Sequence, residues 1–227
     1  MSETVRAQGA AEGGSMALER YRYLVVEGPI GVGKTTLARK LAETMDARLL
    51  TEQPEAVPFL PKFYQDMSRY ALATQLSFLF QRVDMVASLA QIDLFHGQTV
   101  ADFLFDKDLL FAELTLTDDE FKLYSDIYQH VSVAAPTPDL VIYLQADPAT
   151  LIERVQSRDR DSERLFGETY LQRVAERYSR FFYDYADAPL LIVNTDHLDL
   201  VENADDFRLL LRRIEGMRGG REYFNKA

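Results

Sequence analysis

An apolar run and a helical run are joined by VVEGPIGVGKTT, residues 25–36. Gly28, Gly33, Lys34 and Thr35 complete the spacing G-x-x-x-x-G-K-[ST], and this constrains the chain more than any other feature. The loop works only when a buried strand delivers it and a helix leads away from it, because the helix N-terminus supplies the inward N–H groups and the dipole that hold an anion. Both flanks are present. YLVVEG ahead of the loop is a short apolar run of strand length, and TTLARKLAETM after it is helical. The backbone of Gly28, Pro29, Ile30, Gly31, Val32, Gly33, Lys34, Thr35 and Thr36 is therefore expected to cradle the phosphates of a nucleoside triphosphate. Lys34 is expected to reach the terminal phosphates, and the Thr35 hydroxyl to face Mg²⁺. The loop leaves the acceptor undefined.

The rest of the chain repeats the strand–helix alternation. ARLLTEQ, TVADFL, DLVIYLQA and PLLIVNT read as four more strands with helical segments between them, giving a parallel five-stranded sheet flanked by helices. Residues 1–20 are small and polar with a Gly-Gly-Ser hinge, and read as a flexible tail ahead of a single domain at 21–227. The segment from about 66 to 95 is the longest helix. Leu72, Leu76, Leu79, Val83, Val86 and Ala90 form an apolar stripe along it, and Gln75 and Arg82, seven residues apart, project within about 20° of each other at its edge.

Charge narrows the acceptor. The 25 basic and 36 acidic residues give a net charge of −11, which argues against a polynucleotide or an anionic membrane surface. The absence of cysteine excludes a disulfide framework, a thiolate metal site and a cysteine nucleophile. No signal-peptide core or membrane-length apolar run is evident, so a cytoplasmic location is expected.

Three classes of protein use such a loop. A GTPase switch requires N-K-x-D, and NTDH at 194–197 lacks the lysine. A small-molecule kinase requires a base near the acceptor and an arginine-rich lid. A non-catalytic nucleotide-binding regulator would keep the loop and lose both. Glu52 follows the second strand, where open α/β sheets bind ligands, although beside Pro54 it reads equally as a solvated turn residue. RVQSRDR places Arg154, Arg158 and Arg160 after the fourth strand as lid arginines. The alternative for them is a solvated basic face balanced by Asp159 and Asp161.

Taken in order, these motifs resemble the deoxynucleoside kinases, of P-loop nucleoside-kinase fold, over residues 22 to 200. EGPIGVGKTT is similar to the family's phosphate loop and TEQPEAVPFL to its E-P-V-E segment. The resemblance implies that Glu52 is the base acting on a 5′-hydroxyl and that Tyr64 and Glu163 hold the 3′-hydroxyl. It implies that Gln75, Arg82 and Asp108 face the nucleobase, that Arg154, Arg158 and Arg160 belong to the lid, and that Thr35 and Asp102 hold Mg²⁺. It also implies ATP as donor and a homodimer. An arginine–aspartate pair at the base suits deoxyadenosine, deoxyguanosine or deoxycytidine and disfavours the thymidine methyl group. A thymidylate-type nucleoside monophosphate kinase is the alternative. VADFLFDKD departs from the family, which has an arginine where this chain has Phe103. Lys107, four residues on and on the same helical face, either takes over that arginine's role or pairs with Asp106 or Asp108 on a solvated surface.

Overall fold

The computed structural model describes residues 18–92, 97–131, 135–157 and 167–226. Strands β1 (Tyr23–Glu27), β2 (Arg48–Leu50), β3 (Thr99–Ala101), β4 (Leu140–Gln145), β5 (Leu190–Asn194) and β6 (Arg221–Phe224) form one sheet in the order β2-β3-β1-β4-β5-β6. Every pair is parallel, so each connection crosses over through helix or loop. The helices are α1 (Lys34–Met45), α2 (Leu60–Gln65), α3 (Met67–Ile92), α4 (Lys107–Thr115), α5 (Asp118–Val131), α6 (Pro148–Ser157), α7 (Glu168–Asp184) and α8 (Ala204–Gly216).

Alternation along β1 divides the core. Leu24 and Val26 face a cluster with Leu37 and Leu41 of α1 and Leu210 and Ile214 of α8. Val25 faces the opposite cluster, with Leu79 of α3, Tyr124 of α5 and Tyr178 and Phe182 of α7. The strands β1, β3 and β4 are buried almost throughout because helices cover both faces. β1 lies between β3 and β4, so the chain leaves its carboxyl end toward one side for β2 and β3 and toward the other for β4 and β5. A crevice opens at that switch point.

The sheet has six strands rather than the expected five. β6 reads REYF, four residues with two charges and no apolar run, and it lies at the sheet edge with its side chains half-exposed. An edge strand needs no second buried face, so the pattern that marks the central strands is absent from it. Its pairing with β5 is reinforced by Arg221, which donates to the Tyr183 and Tyr185 carbonyls. Residues 18–20, expected in the tail, are among the described residues and pack on the domain. Leu18 is buried, and Arg20 donates to the Ile214 and Met217 carbonyls, satisfying acceptors that the end of α8 leaves free. Residues 1–17 lie outside the described residues.

The long helix starts at Met67 and is described to Ile92, and residues 93–95 of the expected span lie outside the described residues. Leu79 and Val86 are buried, and Leu72, Leu76 and Val83 pack against the second cluster as partly buried residues. The Ala90 side chain lies outside the described ones. No described helix is long and apolar enough to cross a membrane.

Candidate active site

The phosphate loop spans the six residues between β1 and α1. Two of its glycines are sterically required. A Cβ on Gly28 would lie 2.4 Å from the Leu144 carbonyl oxygen of β4, and one on Gly31, at φ +89°, would lie 2.8 Å from Val155 Cγ2 of α6. The loop is thus pressed against β4 and α6. Lys34 Nζ curls back to within 3.4 Å of the Pro29 carbonyl oxygen, and burial lowers its pKa.

A hydrogen-bonded chain runs from this loop to the carboxylate expected to act as base. Thr35 Oγ1 donates to Asp102 Oδ2 at 2.5 Å, and the Glu52 backbone N–H donates to Asp102 Oδ1 at 2.9 Å. Asp102 directly follows β3 and Glu52 lies two residues past β2. The sheet itself therefore aligns all three groups. Burial raises the Asp102 pKa. Thr35 and Asp102 meet as a hydroxyl–carboxylate pair at a helix N-terminus. That pairing fits Mg²⁺, which takes one or two protein carboxylates plus phosphate and water. No group of three or more His, Cys, Asp or Glu side chains that could hold a metal ion occurs among the described residues.

Glu52 lies among cations. Its Oε1 accepts from Arg82 Nε at 2.6 Å and its Oε2 accepts from Lys107 Nζ at 2.8 Å. Burial pushes its pKa up, but the Arg82 and Lys107 charges outweigh burial and hold it at about 2. Arg82 also pairs through Nη1 with Asp108 Oδ1, so one guanidinium bridges the two carboxylates. Asp108 is buried, and burial lifts it to about 6 against the pull of Arg82.

Gln75 and Arg82 are buried and face the cleft, not only the edge of the apolar stripe. Gln75 Nε2 donates to Thr115 Oγ1 at 3.1 Å. Together with Tyr64, Phe78, Phe111, Tyr170 and Tyr178 they line a cavity of about 720 Å³ whose floor holds Lys34, Thr35, Glu52 and Asp102. The Arg82 guanidinium lies 5.2 Å from the centre of the Phe78 ring.

Arg154 is placed away from this cavity. It donates to Thr195 Oγ1 at 2.9 Å and to the Thr195 carbonyl at 2.7 Å. These groups line a second cavity of about 660 Å³ that is bounded by the loop after β5 and shares Gly31, Gly33 and Thr36 of the phosphate loop with the first. Arg158, Arg160 and Glu163 lie outside the described residues.

Sequence reasoning missed one group. Glu27, the last residue of β1, is fully buried. Its Oε1 accepts from Gly28 N at 2.9 Å and from the Tyr178 hydroxyl at 3.0 Å, while its Oε2 accepts from Leu104 N at 2.8 Å and lies 3.3 Å from Lys107 Nζ. The available signal was a charge closing an otherwise apolar strand. Lys107 is likewise buried, and it pairs with Glu52 and Glu27 in place of the surface partners Asp106 and Asp108.

With this geometry established, comparison with known proteins is decisive. The family model for deoxynucleoside kinases matches residues 24–217. The chain belongs to the deoxynucleoside kinase family. Its relatives include a deoxyguanosine kinase of Bacillus subtilis (strain 168), 30% identical over 198 residues, which are 85% of this chain and 96% of that protein. A deoxyadenosine kinase of Lactobacillus acidophilus is 29% identical over 206 residues, covering 85% and 94% of the two chains. The structure of a deoxyadenosine kinase from M. mycoides with bound dATP superposes with a TM-score of 0.74 at 22% identity, covering 86% of this chain and all of that one, and so shares its fold.

Within this kinase, Phe103 is fully buried in the second apolar cluster. The position at which the resemblance implies an arginine is part of the core.

Proposed function

We propose that this kinase transfers the γ-phosphoryl group of ATP to the 5′-hydroxyl of a deoxyribonucleoside, with deoxyadenosine, deoxyguanosine or deoxycytidine as substrate and Mg²⁺ as the metal. The hydrogen-bonded chain from Thr35 through Asp102 to the Glu52 backbone carries this reading, because it ties the phosphate loop to the acceptor carboxylate at the floor of one cavity. In this reading the second cavity takes the donor's nucleoside, the shared loop its phosphates, and the first cavity the acceptor. Arg154 belongs to the donor side. Arg158 and Arg160 complete the lid, and Glu163 meets the 3′-hydroxyl together with Tyr64.

Lys34 and the loop N–H groups hold the phosphates. Thr35 and Asp102 hold Mg²⁺, which when bound neutralises charge building on the β- and γ-phosphate oxygens. Glu52 orients the 5′-hydroxyl and takes its proton. A carboxylate held near 2 is a weak base toward a free alcohol. It suffices here because the hydroxyl becomes acidic only as its oxygen bonds to phosphorus, late in a loose transition state. Gln75 and Arg82 present donors and an acceptor to the base edge, and Asp108, buried behind Arg82, acts on the base through that guanidinium. A thymidine methyl against the buried Arg82–Asp108 pair would desolvate charge without compensation. The names of the relatives, deoxyguanosine, deoxyadenosine and deoxyadenosine/deoxycytidine kinases, favour the same substrates. The reading extends to a homodimer through helical faces, for which Phe80 and Leu123 are exposed apolar residues on α3 and α5. Cytoplasm is the compartment that supplies the ATP.

One experiment tests the proposal. The protein is incubated with ATP and Mg²⁺ against the four deoxyribonucleosides and thymidine monophosphate, and products are separated by chromatography. Monophosphates of the amino-bearing nucleosides are expected to form fastest. Preference for thymidine monophosphate would make it a nucleotide kinase, and binding of ATP without any transfer would make it a regulator.

A further inference from the structure

The cation beside Glu52 does not come from residue 103, whose phenylalanine ring is in the core. We propose that Lys107 is the acceptor-side cation of this kinase and that Glu27, the residue before the phosphate loop, positions it. The inference rests on the kinase reading above and deepens it.

Lysine is almost never fully buried unless paired. Lys107 is 2% exposed, with Nζ 2.8 Å from Glu52 Oε2 and 3.3 Å from Glu27 Oε2. An ammonium has three donors. One is donated to Glu52 Oε2, Glu27 Oε2 lies within ion-pair distance, and at least one remains. Lys107 lines the same cavity as Lys34 and Glu52, so the remaining donor is close to the path between acceptor and phosphate loop.

Glu27 is held from three directions. The phosphate loop binds it through Gly28 N, the segment after β3 through Leu104 N, and α7 through the Tyr178 hydroxyl. A carboxylate fixed in this way cannot swing, and it keeps the ammonium against Glu52. During transfer the 5′-oxygen gives its proton to Glu52 as its bond to the γ-phosphorus forms, while the bond from that phosphorus to the departing ADP oxygen breaks. A preorganised cation at this point stabilises the charge moving across the phosphoryl group. The helix α4 thus supplies by a flexible stem what the strand end no longer supplies by a guanidinium. An arginine returned to position 103 would enter the apolar cluster and would not restore the function.

The test compares Lys107→Ala, Lys107→Arg and Glu27→Gln with wild type, each checked for fold by circular dichroism, in steady-state assays with ATP and the best deoxynucleoside. Lys107→Ala is expected to lose about 10²-fold or more in kcat while the nucleoside KM changes by less than about threefold. Lys107→Arg keeps most of kcat. Added ethylammonium restores part of the Lys107→Ala rate, and tetramethylammonium, which has no donor, does not. Glu27→Gln keeps one acceptor oxygen for Gly28 N and the Tyr178 hydroxyl, turns an uncharged amide NH2 toward Leu104 N and Lys107, and is expected to lower kcat at least about tenfold with KM unchanged. A folded Lys107→Ala with near-wild-type kcat would overturn the proposal, as would a loss confined to KM. If Lys107→Ala does not fold, Glu27→Gln decides, and an unchanged kcat there overturns the proposal. Wild-type turnover in the same series separates this outcome from failure of the kinase reading, in which wild type itself would transfer nothing to nucleosides.

Discussion

Replacing Asp108 with asparagine should stabilise this protein at neutral pH, although it breaks a buried ion pair. Asp108 has an ordinary carboxyl pKa of 3.8 and is raised to about 6 in the fold. A group raised on folding contributes stability that is present below its unfolded value and lost as pH rises through its folded one. The folded state thus loses stability as pH rises from 4 toward 7, by about 2 kcal/mol in all. The attraction of Arg82 is already contained in that value and does not overcome burial. Asparagine keeps the shape and removes the titration, and Arg82 retains Glu52 as partner. Exchanging one hydrogen bond for another adds an offset that is the same at every pH, so the slope is the measured quantity. Urea unfolding followed by circular dichroism at pH 4, 5, 6 and 7, for both proteins, should show the asparagine variant gaining about 2 kcal/mol on wild type across that range. A flat difference would refute the assignment of a buried, strained charge to Asp108. A slope of opposite sign would show that Arg82 wins. The same variant should lose kcat/KM on amino-bearing nucleosides, since the charge disfavoured by the fold is the one proposed to read the base.

Other outcomes follow from the same geometry. Lys34→Ala should abolish phosphoryl transfer with an unchanged unfolding midpoint, as measured by product formation beside urea unfolding. Glu52→Gln should lower kcat by about 10²–10⁴-fold in a coupled assay with little change in nucleoside binding. Because Glu52 falls from 4.5 to about 2 on folding, its contribution of about 3 kcal/mol is present above pH 4.5 and lost as pH falls toward 2, so Glu52→Gln should also be less stable than wild type at pH 7 and approach it near pH 2. Gly31→Ala should cost about 1–3 kcal/mol in unfolding experiments and weaken ATP binding in calorimetry, since its Cβ meets Val155 at a positive φ. Replacing both Arg82 and Asp108 with small apolar residues should raise activity on thymidine relative to the other deoxynucleosides in the substrate panel.

What could be read from the sequence depended on whether the physical reason for a residue lay nearby in the chain. The phosphate loop was readable because strand, glycines, lysine and helix are contiguous; of its two motif glycines, Gly28 is pressed on Leu144 and Gly33 adopts φ +101°. Gln75 and Arg82 were readable because helix period alone puts them on one face. Asp102 was readable because it ends a strand and lies beside Thr35 wherever β1 and β3 pair. Glu27 was not readable. A buried carboxylate at a strand end has a reason only once Tyr178, 151 residues away, and Lys107 arrive beside it. Lys107 was ambiguous for the same cause. Its sequence neighbours Asp106 and Asp108 offered an adequate surface explanation, and only its ion pairs with Glu27, at the end of β1, and Glu52, after β2, account for its burial. Lys107 opens α4 and Phe103 lies in the non-helical segment before it, so the two share no helical face. With the Phe103 ring in the core, the cation that pairs with both carboxylates comes from Lys107, whose ammonium lies 3.3 Å from Glu27 and 2.8 Å from Glu52.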